Sequence, residues 1–115
     1  MNVIISARHC EPPESIRDLA ATRMQRLARY EPRLREAEVA FDVDHGERRV
    51  EARLSVPGTE IVVADAAGET FEEALGRVAD RLRRQLRRGR ERRRDHQGTS
   101  LTEFVAARAG GADSP

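Results

Sequence analysis

The fold is most tightly constrained by residues 71–86, where Phe71, Ala74, Leu75, Val78, Leu82 and Leu86 recur at the spacing of one helical face. At 100° per residue, Arg77, Arg81, Arg84 and Arg88 fall roughly opposite that stripe, and Arg83, Arg87, Arg90 and Arg94 follow one flank. A helix of this kind must bury its apolar stripe against a second layer, and it presents arginine around about half of its circumference. Thr70 is placed to cap its N-terminus, with Glu73 three residues on completing a capping box. Gly89 weakens a helix by about 1 kcal/mol relative to alanine, and no apolar stripe continues beyond it. Fraying is expected from that point.

The second layer is legible upstream. Val3, Ile4 and Ile5 make residues 2–8 a first strand. Glu11-Pro12-Pro13-Glu14 ends it, because proline suits the first turn of a helix and not the interior of a strand. Ile16, Leu19, Ala20, Met24 and Leu27 then give a helix from residue 14 to about residue 30, which Pro32 stops. Val39, Phe41 and Val43 alternate with polar or small residues over 38–44. Val50, Ala52, Leu54 and Val56 do the same after the turn at His45-Gly46-Glu47, and Pro57-Gly58 leads into a last strand over 60–64. The expected class is α+β in the order β-α-β-β-β-α, a four-stranded sheet with two helices packed on one face. Residues 1–95 form the domain. Residues 96–115, rich in Gly, Ala and Ser with one apolar group at Leu101, Phe104 and Val105, read as a disordered C-terminal tail.

The formal net charge of +1 hides a strong polarity. Residues 77–94 hold ten arginines against Asp80 and Glu91, whereas the remaining chain holds eleven arginines and eighteen acids. An asymmetric basic stripe is the electrostatic footprint of a polyanion binder. All the lysine-plus-arginine content is arginine, whose planar fork binds phosphate bidentately. Only Tyr30, Phe41, Phe71 and Phe104 are aromatic, and Phe41 and Phe71 belong to the apolar stripes. Few rings are left on which single-stranded bases could stack, so recognition by shape and phosphate, as with folded RNA, is expected.

Other chemistry finds little support. His9-Cys10 places an imidazole beside a thiol, but neighbours at a strand end point to opposite faces and no third group is set to orient a base. The single cysteine can form neither an internal disulfide nor a thiolate zinc site. Phosphate loop, metal-ligand spacing and nucleophile elbow are all lacking, so neither an enzyme nor a cofactor is expected. No apolar run approaches the roughly 20 residues that span a bilayer, and a cytoplasmic location is expected.

Glu14-Ser15-Ile16-Arg17-Asp18-Leu19, Arg26-Leu27-Ala28-Arg29-Tyr30 and Ala79-Asp80-Arg81-Leu82-Arg83-Arg84-Gln85-Leu86, in this order of elements, resemble the hibernation promoting factor and ribosome-associated inhibitor family. The resemblance spans roughly residues 2–96 and corresponds to the short form, without a second dimerising domain. It implies a non-enzymatic factor, monomeric when free, that binds the small ribosomal subunit and its rRNA where mRNA and tRNA would lie. Neither a membrane nor a small-molecule substrate is implied. Position by position, it assigns rRNA contact to Arg23, Arg26, Arg33, Arg81, Arg84, Arg88, Arg90 and Arg92. The chain departs from the family pattern at Thr70, Glu72 and Gly76. The alternatives are a general double-stranded RNA binder of similar topology and, from another class, a cysteine-dependent enzyme.

Overall fold

The computed structural model describes residues 1–98, with side chains through Arg92. Strand β1 (Asn2–Arg8) is followed by helix α1 (Glu14–Arg26), a 3-10 turn (Leu27–Arg29), strands β2 (Glu36–Asp44), β3 (Glu47–Ser55) and β4 (Val62–Gly68), and helix α2 (Phe71–Gly98). The sheet order is β1-β2-β3-β4, with β1 parallel to β2 and the other pairs antiparallel. Helix α1 is the crossover that a parallel β1–β2 pair requires. The expected class, element order and two-layer arrangement are those observed.

Local chemistry sets the boundaries. The Pro13 carbonyl accepts from the backbone N–H of Ile16 and of Arg17, starting α1 with no side-chain cap. That helix tightens into its 3-10 turn and stops before Pro32, a few residues sooner than its apolar spacing suggests. Between β2 and β3, His45 (φ 54°) and Gly46 (φ 78°) both take positive φ, as a two-residue hairpin turn of the primed type requires. Strand β4 begins two residues later than expected and extends four further. Its start is delayed because Thr59 folds back on Val56, through both its N–H (3.2 Å) and its hydroxyl (3.1 Å). Its end was concealed by Ala66 and Ala67, a residue type depleted in strands; of the strand's alanines, Ala64 and Ala66 face the core and let α2 pack closely on β4.

The core lies between the sheet and the helices. Val39, Phe41, Val50, Ala52 and Leu54 supply the sheet side, Ala20 and Met24 come from α1, and Ala74, Leu75, Val78 and Leu82 from α2, each 1% exposed or less. Phe41 meets Phe71 edge to face at a centroid distance of 5.3 Å, a geometry worth about 0.5–1.5 kcal/mol beyond its area.

Thr70 caps α2 as its sequence position indicates, its hydroxyl accepting from the N–H of Glu73 at 3.0 Å. The Glu73 carboxylate accepts from the N–H of Glu69 at 2.8 Å, one residue outside the usual box. Loss of such a cap costs about 1 kcal/mol, so Thr70→Ala is expected to lower the melting temperature by about 4–8 °C for a domain of this size. Thermal unfolding followed by circular dichroism checks this.

Helix α2 does not fray at Gly89. It continues to Gly98, because arginine, glutamate and glutamine are good helix formers and Arg90 ties it to the Tyr30 carbonyl at 3.2 Å. At 1.5 Å per residue, the part beyond Leu86, the last buried residue of its stripe, is roughly 18 Å long. The helix thus takes in the first three residues assigned to the tail. The rest of that segment, 99–115, lies outside the described residues.

Candidate nucleic-acid interface

Much of α2's polar surface is committed to holding the helix on the sheet. Strand β4 is an edge strand, and three carbonyls on its free edge accept from α2 side chains one turn apart: Ala67 from Arg77, Asp65 from Arg81, and Val63 from Gln85 at 2.9 Å. An open edge is a template for unwanted strand addition, and this row closes it. The Asp80-x-Leu82-x-x-Gln85-Leu86 motif accordingly reads as architecture. Leu82 and Leu86 are core, Gln85 seals the edge, and Asp80 accepts from Arg83 and Arg84. Hydrogen bonds from Arg83 and then Arg84 hold the Asp80 carboxyl below its ordinary pKa, while Asp80 and then Tyr30 hold Arg83 above its own.

The eight arginines assigned to rRNA therefore divide. Arg33 pairs with the buried Glu31 at 3.3 Å, Arg81 donates to Asp65, Arg84 to Asp80 and Arg90 to Tyr30. All four remain exposed with donors to spare. Arg23, Arg26, Arg88 and Arg92 make no hydrogen bond or ion pair among the described residues. The same is true of Arg29 and Arg87, which the sequence reading did not assign. Arg29 was detectable, since Arg23, Arg26 and Arg29 recur every three residues where α1 runs into its 3-10 turn.

These unpaired arginines fall in two places. Arg23, Arg26 and Arg29 converge with Arg83 on a crevice of about 330 Å³ between α1 and α2. Arg88 and Arg92 line a groove between α2 and the β3–β4 loop, and Arg87 is exposed on the same part of α2. The opposite surface of the domain has the other sign. Strand alternation puts Glu38, Asp42, Glu51 and Asp65 on the open face of the sheet, with only Arg8, Arg49 and Arg53 among them as counter-charges. A polyanion is attracted to the helical side and repelled from the other.

His9 and Cys10 form no dyad. The His9 ring is 3.1 Å from the Asp42 carboxylate, and Cys10 packs half-buried against the core. Among the described residues no His, Cys, Asp and Glu group could hold a metal ion, and no helix is long and apolar enough to cross a membrane.

The geometry is that of a two-layer α+β domain with one arginine-rich helical side. The chain belongs to the family described as sigma 54 modulation protein / S30EA ribosomal protein, whose profile matches residues 3–94. That family consists of ribosome-associated factors, not enzymes. A ribosome hibernation promoting factor of Pseudomonas putida is 33% identical over 108 residues, 94% of this chain and 100% of that one. The N-terminal domain of Thermus thermophilus Protein Y superposes with a TM-score of 0.69 at 28% identity, covering 76% of this chain and 98% of that one. A ribosomal subunit interface protein from Coxiella burnetii shares the fold, with a TM-score of 0.74 at 15% identity over 79% of this chain and 99% of that one.

Proposed function

We propose that this chain is a ribosome hibernation factor that binds the decoding region of the small ribosomal subunit and excludes mRNA and tRNA. The observation carrying this reading is the set of unpaired arginines on one side of the domain, opposite an acidic sheet face. Such a surface docks on folded RNA in one orientation, and a domain that lies on the RNA there acts by occupying space. The names of its relatives agree with a role in hibernation. The partner is rRNA of the small subunit, the chain acts in the cytoplasm as a monomer without a cofactor, and Arg23, Arg26, Arg33, Arg81, Arg84, Arg88, Arg90 and Arg92 are its assigned contacts.

Co-sedimentation at matched ionic strength tests this against general double-stranded RNA binding. The chain should saturate small subunits at concentrations where a generic RNA duplex is scarcely bound, and equal affinity for the two would contradict the proposal. Because arginine stays charged throughout and Asp80, its pKa depressed, keeps its charge until pH falls below the ordinary carboxylate range, affinity should change less than about twofold between pH 6 and 8. Fluorescence titration across that range reads it directly.

A further inference from the structure

We infer that the outer edge of β1 is a site for strand addition that takes an extended segment of another protein, one in which basic and apolar residues alternate. The two edges of the sheet differ. The carbonyls of β4 are taken by Arg77, Arg81 and Gln85, whereas β1, at the other end of the sheet order, has no such cover among the described residues. Asn2 donates to the Arg35 carbonyl at 2.9 Å. In the parallel register the backbone groups of Asn2, Ile4, Ser6 and Arg8 therefore turn toward β2, and those of Val3, Ile5 and Ala7 turn outward. These outward groups have no hydrogen-bond partner among the described residues. Exposed edges are ordinarily blunted by proline, charge or a bulge, but β1 presents Val3-Ile4-Ile5 with its one charge, Arg8, at the far end. In strand addition the backbone supplies affinity, and alternate side chains supply selectivity.

The surroundings define the partner's chemistry. On the helical side Val3 and Ile5 are half-buried against the core, a surface for apolar residues. On the open side Ile4 is 43% exposed, and Glu36 and Glu38 stand one strand behind Asn2 and Ile4. Neither carboxylate has an ion pair or hydrogen bond among the described residues, although Arg53 lies opposite Glu38 on β3. Strands are about 4.8 Å apart, so an arginine or lysine beside Ile4 can lay its stem across that side chain and bring its charge to Glu38. A second copy of β1 would bring only Arg8, and residues 99–115 bring Arg108 against Glu103 and Asp113. Neither matches the carboxylates as a basic segment of another protein does.

The probe is a blocked synthetic heptapeptide alternating arginine and valine, titrated into the full chain and followed by backbone amide signals. Val3, Ile5 and Ala7 should shift together and gain protection from hydrogen exchange, while Arg88 and Arg92 stay unmoved. Replacing the peptide's central valine by proline keeps every charge and should weaken binding about tenfold or more. Ala7→Pro removes only an outward N–H, which an edge strand tolerates, and should weaken binding as much with the β2 and β3 signals unchanged. The proline peptide carries the same test should that variant not fold. Glu36→Gln with Glu38→Gln should cost about three- to tenfold at low salt. Equal binding of the two peptides, or native affinity in a folded Ala7→Pro, would overturn strand addition. Undiminished affinity in the double glutamine variant would overturn the basic class of partner, and self-association of the free chain through Val3, Ile5 and Ala7 would make a second copy the occupant instead.

Discussion

Raising monovalent salt from 50 to 200 mM is expected to weaken binding to small subunits by roughly 300- to 2,000-fold, the response of about six phosphate contacts at 0.7–0.9 counterions released per contact. The figure of six comes from Arg23, Arg26, Arg29, Arg87, Arg88 and Arg92, the arginines of the helical side with no partner among the described residues. The paired arginines contribute less, because each must exchange a carbonyl or carboxylate for a phosphate. A plot of log affinity against log salt should therefore have a slope of about −4 to −5. A slope near zero would mean that phosphate does not lead the interaction.

Reversing two of those contacts should have the next largest effect. The double variant Arg88→Glu, Arg92→Glu replaces two exposed cations by anions, and a loss of at least about a hundredfold in affinity, about 2.7 kcal/mol, is expected. The salt slope should flatten by about 1.4–1.8 as two contacts disappear. Both side chains are exposed and neither touches the core, so unfolding free energy should move by no more than about 0.5 kcal/mol. Unchanged affinity would place the RNA-binding surface elsewhere. Unfolding would show that this part of α2 supports the fold.

The layers of the domain were legible because the hydrophobic period was clear in both helices and in β2 and β3, and at α2 the capping chemistry agreed with it. The 3.6-residue stripe from Phe71 to Leu86 faces the core as read, and the alternation in β2 and β3 separates buried from exposed residues as read. What the sequence concealed was of two kinds. Alanine in β4 is chosen for the close approach of a helix, which propensity does not register. The division of the arginines was also invisible, because helical phase gives direction and not occupancy. Arg81 and Arg84 project from α2 as Arg88 does, yet a strand edge claims the first and Asp80 the second.

The same division explains how one helix serves both fold and binding. Over residues 71–86 its side chains anchor it, through the buried stripe and through the row of donors on β4. Beyond Leu86 the helix continues with Arg87, Arg88 and Arg92 free, tethered by Arg90 to the end of the 3-10 turn. That tether holds this end of α2 against the end of the 3-10 turn, while Arg88 and Arg92 project from another flank of α2 toward the β3–β4 loop.

Titrating the chain into small subunits carrying mRNA and labelled tRNA at low salt measures whether it occupies the space that mRNA and tRNA need. The expected result is that tRNA is released in proportion to the chain bound, one for one, and that the Arg88→Glu, Arg92→Glu variant releases none at the same concentrations. Small subunits that hold the chain and tRNA together would contradict it.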